Sequence, residues 1–113
     1  MLHLLSHSPS TAIFSQCINT ILFNTQTSLP TKQHILLYQE AVYGITEVIN
    51  KYLSQDLTSL KQTAANAIKL YAIEEDVLIR GIILPSESLN KLTLINYEEF
   101  VKLCLGCSPI ITW

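Results

Sequence analysis

Three cysteines and three histidines hold most of the reactive chemistry this chain could carry: Cys17, Cys104, Cys107, His3, His7 and His34. Cysteines carry sulfur, form disulfides or bind soft metals. Histidines move protons or bind metals. Cys104-Leu105-Gly106-Cys107 is formally a CxxC. A redox CxxC works when its first cysteine sits at a helix N-terminus, where the dipole stabilises thiolate. Here the pair falls at the end of a predicted helix, which disfavours thiolate, and a zinc site would need a second ligand pair. Core packing is expected for Cys104, with Cys107 incidental. Cys17 is different. On a helical wheel it lies between Ile13 and Ile21, toward one edge of the apolar arc, which predicts half-burial with the sulfur near the surface. Packing and reactivity are both open to such a residue.

The histidines have no paired spacing such as HExxH. His3 and His34 fall inside predicted strands, as structural histidines do, while His7 lies in the loop after the first strand. No GxGxxG, P-loop or GxSxG is present, and three glycines leave little material for a phosphate cradle. No metal and no cofactor are expected.

The elements that must position these residues follow from apolar spacing and breakers. Met1–Leu5 reads as a buried first strand. Ser8 can cap a helix that Pro9 begins, with Phe14, Ile18, Ile21 and Leu22 at helical spacing up to Phe23. Asn24–Gln33 reads as a loop and His34–Tyr38 as a second strand. A helix through Val42, Ile45, Val48, Ile49 and Leu53 follows, weakened by Gly44 by ~1 kcal/mol relative to alanine. Gln55–Ala67 allows a further helical turn or a loop. Ile68–Ile73 is a third strand, and Glu74–Arg80 a short helix stopped by Gly81. Pro85–Lys91 is a loop and Leu92–Ile95 a fourth strand. Asn96 and Glu99 match a capping box for a helix carrying Phe100, Val101, Cys104 and Leu105 on one side. Ile110–Trp113 could add a last strand. Strands alternating with helices imply a mostly parallel sheet of four to five strands with helices on both faces, in one α/β domain over residues 1–113. In such folds, reactive groups gather at the carboxyl ends of the strands.

Composition narrows the function classes. The chain is 49% hydrophobic and 14% charged, which argues against disorder and leaves a weakly charged surface suited to a partner interface. Seven basic residues against nine acidic ones give no electrostatic footprint for direct nucleic-acid binding. Any RNA would be reached through a partner. Three cysteines cannot all pair within the chain, which fits a reducing cytoplasm better than secretion. Residues 1–31 contain no Asp, Glu, Lys or Arg, yet Ser6, His7, Ser8, Pro9, Gln16, Asn19 and Asn24 break every apolar run short of a membrane span. No signal-peptide pattern is present.

Four stretches in order resemble the TusB/DsrH family. Leu2-His3 with Ser8-Pro9 is similar to its "LH…SP" start. Leu36 to Tyr43 resembles "LL-x-QDAVY", with Glu40 where aspartate is usual. Tyr71 to Val77 with Arg80-Gly81 resembles "Y-x-L-x-x-D … RG". Leu94 to Val101 resembles "LIDYDEFV", with Asn96 for the first aspartate, and Trp113 sits where the family also ends. The resemblance implies a single DsrE-like domain. It further implies a heterohexamer with TusC/DsrF-like and TusD/DsrE-like subunits that relays persulfide sulfur among sulfur carriers. In the Tus branch the sulfur goes toward 2-thiolation of tRNA wobble uridine, with tRNA contacted only indirectly. The main carrier cysteine belongs to the TusD/DsrE-like partner, which makes this chain a non-catalytic subunit. DsrH-type members, in dissimilatory sulfur oxidation, carry a reactive cysteine in the first helix, close to the place of Cys17. The alternatives are therefore a carrier using Cys17 and a homo-oligomeric DsrE-like binding protein.

Overall fold

Each run of branched and long apolar residues read as a strand forms one, and all five lie parallel in a single sheet of order β4-β3-β2-β1-β5. The computed structural model describes residues 1–27, 33–50, 68–107 and 109–113. The strands are β1 (Leu2–Leu5), β2 (Gln33–Leu37), β3 (Ile68–Ile73), β4 (Leu92–Ile95) and β5 (Ile110–Thr112). The helices are α1 (Ala12–Thr27), α2 (Ile45–Val48), α3 (Glu74–Ile79), α4 (Ser86–Leu89) and α5 (Tyr97–Gly106), and a 3-10 helix (Gln39–Gly44) leads into α2. Side chains alternate across the sheet, so each strand feeds two apolar layers.

One face is thickly covered. Phe14, Cys17, Ile18 and Ile21 of α1 pack with Ala41, Val42, Ile45, Val48 and Val77 over Leu5, Ile35, Leu37, Leu70, Ala72 and Leu92. The opposite face holds Leu2, Leu36, Ile73 and Ile95, and what packs on them includes Phe100, Leu103 and Cys104 of α5. The strand order explains the division. Successive strands β1 to β4 are neighbours, whereas the β4-to-β5 connection carries α5 back across the sheet to its far edge.

Several boundaries differ from those the sequence suggests, each for a local reason. α1 starts at Ala12, not Pro9. Ser8 closes a turn instead, its carbonyl accepting from the Thr11 N–H at 3.0 Å and hydroxyl at 2.7 Å, with Pro9 inside the turn. Thr11 then caps the helix by accepting from Phe14 N–H at 3.3 Å. α1 runs on to Thr27 because no glycine or proline stops it before Pro30. The Pro85–Lys91 loop contains the single turn α4. The stretch after β2 opens as a 3-10 helix, with Ala41 N–H donating to the Tyr38 carbonyl at 3.2 Å. Gly44 is there for space: a Cβ would stand 2.4 Å from Phe14 Cζ. The readings for residues 51–67 lie outside the described residues.

Two ends form as expected. Asn96 accepts from Glu99 N–H at 2.8 Å, and the Asn96 N–H donates to the Glu99 carboxylate at 3.3 Å, completing the capping box. Gly81, at φ 65°, ends α3 with Ile82 N–H on the Val77 carbonyl and Gly81 N–H on that of Leu78.

Candidate functional site

Cys17, the sequence-designated thiol, is fully buried, at 0% exposure. This corrects the expected position near the surface. Ile13, one end of the assumed arc, is 38% exposed, and the inward arc is Phe14, Cys17, Ile18 and Ile21. These are the i, i+3, i+4 and i+7 positions that face a core. Burial removes solvation from the thiolate, so the thiol is pushed up to about 12.

The carboxyl ends of β2 and β3 carry a polar network that sequence reasoning did not assign. Gln39 adopts a left-handed backbone, φ 51°, unusual for a residue with a side chain. Its N–H donates to Asp76 Oδ2 at 2.9 Å. Asp76 is buried, and its other carboxylate oxygen accepts from Arg80 Nη1 at 3.4 Å. Arg80 Nη2 reaches Glu40 at 3.0 Å, and this carboxylate is the largest influence raising the guanidinium above its ordinary value. The chain's sole arginine therefore joins the segments after two neighbouring strands. A signal was present, because Gln39, Glu40, Asp76 and Arg80 all belong to the quoted family stretches. What the sequence does not show is that they meet.

His3 is the structural histidine expected. Trp113 Nε1–H donates to His3 Nδ1 at 3.2 Å, which leaves Nε2 to donate to Gln33 Oε1 at 2.8 Å. Both nitrogens are used and the neutral ring is favoured, burial lowering its affinity for a proton. His34 stacks on Tyr71, with Nδ1 3.3 Å from the phenol oxygen. His7 is half-buried in the turn after β1. Cys104 and Cys107 are half-buried free thiols at the far end of α5. Their helix presents Phe100, Leu103 and Cys104 inward, not Val101 and Leu105, which are 54% and 83% exposed. The arc expected for α5 was thus turned by one position, because Leu103 shares its inner side. Among the described residues, no group of three or more His, Cys, Asp or Glu could hold a metal. No described helix is long and apolar enough to cross a membrane.

The model of the family described as DsrH like protein matches residues 7–109. The chain belongs to this DsrH-like family. Over the full length of both proteins it is 31% identical to Protein TusB of Shigella flexneri and 29% identical to Protein TusB of Yersinia pestis. Two solved structures share its fold at low identity. The YchN protein of E. coli aligns at TM-score 0.63 and 15% identity, over 99% of this chain and 97% of that one. A conserved protein of unknown function from Bacteroides thetaiotaomicron aligns at TM-score 0.67 and 13% identity, over 99% and 93%. The DsrE-like α/β fold with a parallel sheet is therefore the fold of this DsrH-like chain, and the sheet is wholly parallel where the sequence reading allowed a mixed one.

Proposed function

We propose that this chain is a structural subunit of a cytoplasmic persulfide relay, assembled with TusC/DsrF-like and TusD/DsrE-like subunits and serving 2-thiolation of tRNA wobble uridine. The observation that carries the reading is Cys17, buried in a chain that aligns end to end with proteins named TusB. A persulfide carrier must ionise and meet its donor. Burial pushes the Cys17 thiol well above the ordinary thiol range, so the thiol and not the thiolate is the form present at neutral pH. Sulfur transfer then falls to a partner, and Cys17 packs.

The outer side of α5 supports the assembled state. Tyr97, Val101 and Leu105 recur at every fourth residue and are all exposed. Such a stripe on a weakly charged domain suits coverage by another subunit. RNA is reached through that assembly, since acidic residues outnumber basic ones.

Co-expression with TusC- and TusD-like chains tests the proposal. The three should co-purify, and Cys17→Ser should leave sulfur transfer by the reconstituted complex unchanged. A chain that stays monomeric and ignores both partners would overturn the subunit role. Lost transfer by a folded Cys17→Ser complex would make Cys17 a carrier.

A further inference from the structure

Cys104 and Cys107 stand apart from Cys17 in setting. Both are half-buried where Cys17 is closed off, and both pack on the layer formed by Leu2, Leu36, Ile73 and Ile95. They are close enough for a charge on Cys107 to act on Cys104 and on the Tyr71 phenol. Inside a helix, residues three apart hold their Cβ atoms about 5–6 Å apart. A disulfide needs about 3.5–4.5 Å, so a pair wholly within a helix closes poorly. This pair straddles the helix end. Cys107 has left α5, at φ −118° and ψ 139°, and Gly106 before it faces open space. The fixed separation of an i, i+3 pair inside a helix therefore does not govern this pair.

We propose that Cys104 and Cys107 form an oxidisable dithiol that takes a low-molecular-weight disulfide as oxidant and closes to an intrachain disulfide across the end of α5. The exchange proceeds in two displacements. The Cys107 thiolate attacks one sulfur of the oxidant, forming a mixed disulfide and releasing one thiolate, which takes up a proton. The Cys104 thiolate then attacks the Cys107 sulfur and releases the second. Two protein thiols are oxidised and one external disulfide is reduced to two thiols. Once Cys107 is in the mixed disulfide its charge is gone, and burial alone holds the Cys104 thiol above its ordinary value, so the second displacement speeds up with rising pH. Closure would tie Cys107 to the last turn of α5, shortly before β5, the edge strand paired with β1.

The test uses the full chain with oxidised glutathione, followed by tryptic mapping without reduction and circular dichroism to verify the fold. Both cysteines follow Lys102, beyond which the chain has no Lys or Arg, so they leave in one peptide. The expected product is that peptide short of two hydrogens, with Cys17 unmodified. Cys104→Ser should instead accumulate a stable glutathione adduct on Cys107. Three results would overturn the proposal: persistent free thiols, a wild-type adduct that never closes, or linkage only between chains.

Discussion

The two faces of the sheet are built to different tolerances. On one, α1, the 3-10 helix, α2 and α3 press together closely enough that Gly44 has no room for a methyl group beside Phe14. On the other, α5 crosses the sheet with three half-buried side chains inward and an apolar stripe outward. Cys17 sits within the close-packed face and is closed off from solvent. Cys104 and Cys107 sit within the open one. Accessibility of a thiol in this fold thus depends on which face its helix covers, more than on how many apolar neighbours it has in sequence.

The sharpest way to break that comparison is to loosen the dense face. Phe14→Ala should cost about 3–5 kcal/mol in chemical denaturation, the range for emptying a buried aromatic site. Gly44→Ala alone should cost about 1–3 kcal/mol through overpacking. In the Phe14→Ala background the same change should cost less, because its clash is with the missing ring. Additive losses would mean that Gly44 does not touch Phe14. On the open face the main vulnerability is the start of α5. Asn96→Ala removes the side chain that holds Glu99 N–H and should lower stability by about 0.5–2 kcal/mol. An unchanged unfolding midpoint would show that the capping box does not hold α5.

The smallest effect expected is a pH slope from His3. Its folded affinity for a proton lies below the ordinary value of 6.5, so between that pH and its lower folded value the unfolded chain binds more protons. Stability should therefore fall as pH drops below 6.5 and be unaffected by His3 above it. His3→Gln should flatten that part of the curve. A slope that survives the substitution would assign it to other groups.

Much of the fold was legible because its signals are local. Ile68–Ile73 and Leu92–Ile95 are continuous apolar runs between breakers, Gly81 follows a short acidic-to-basic helix, and Asn96 and Glu99 lie three residues apart. What escaped depends on distant parts of the chain. Asp76 is 37 residues from the Gln39 N–H it binds, and no periodicity reveals a left-handed glutamine. Gly44 reads as a weak helix residue until Phe14 is known to lie against it. The depth of Cys17 depended on a wheel anchored at Ile13, a residue on the rim. The family stretches named the residues of the Gln39–Asp76–Arg80–Glu40 network without revealing their contacts.

Alkylation mapping of the native chain tests the contrast between the faces most directly. With limiting iodoacetamide at neutral pH and tandem mass spectrometry, Cys104 and Cys107 should be labelled first, and Cys17 only when the chain unfolds. Addition of denaturant should bring Cys17 to the rate of an ordinary thiol. Labelling of Cys17 ahead of the other two in folded protein would contradict the account and return the sulfur-carrying role to the first helix.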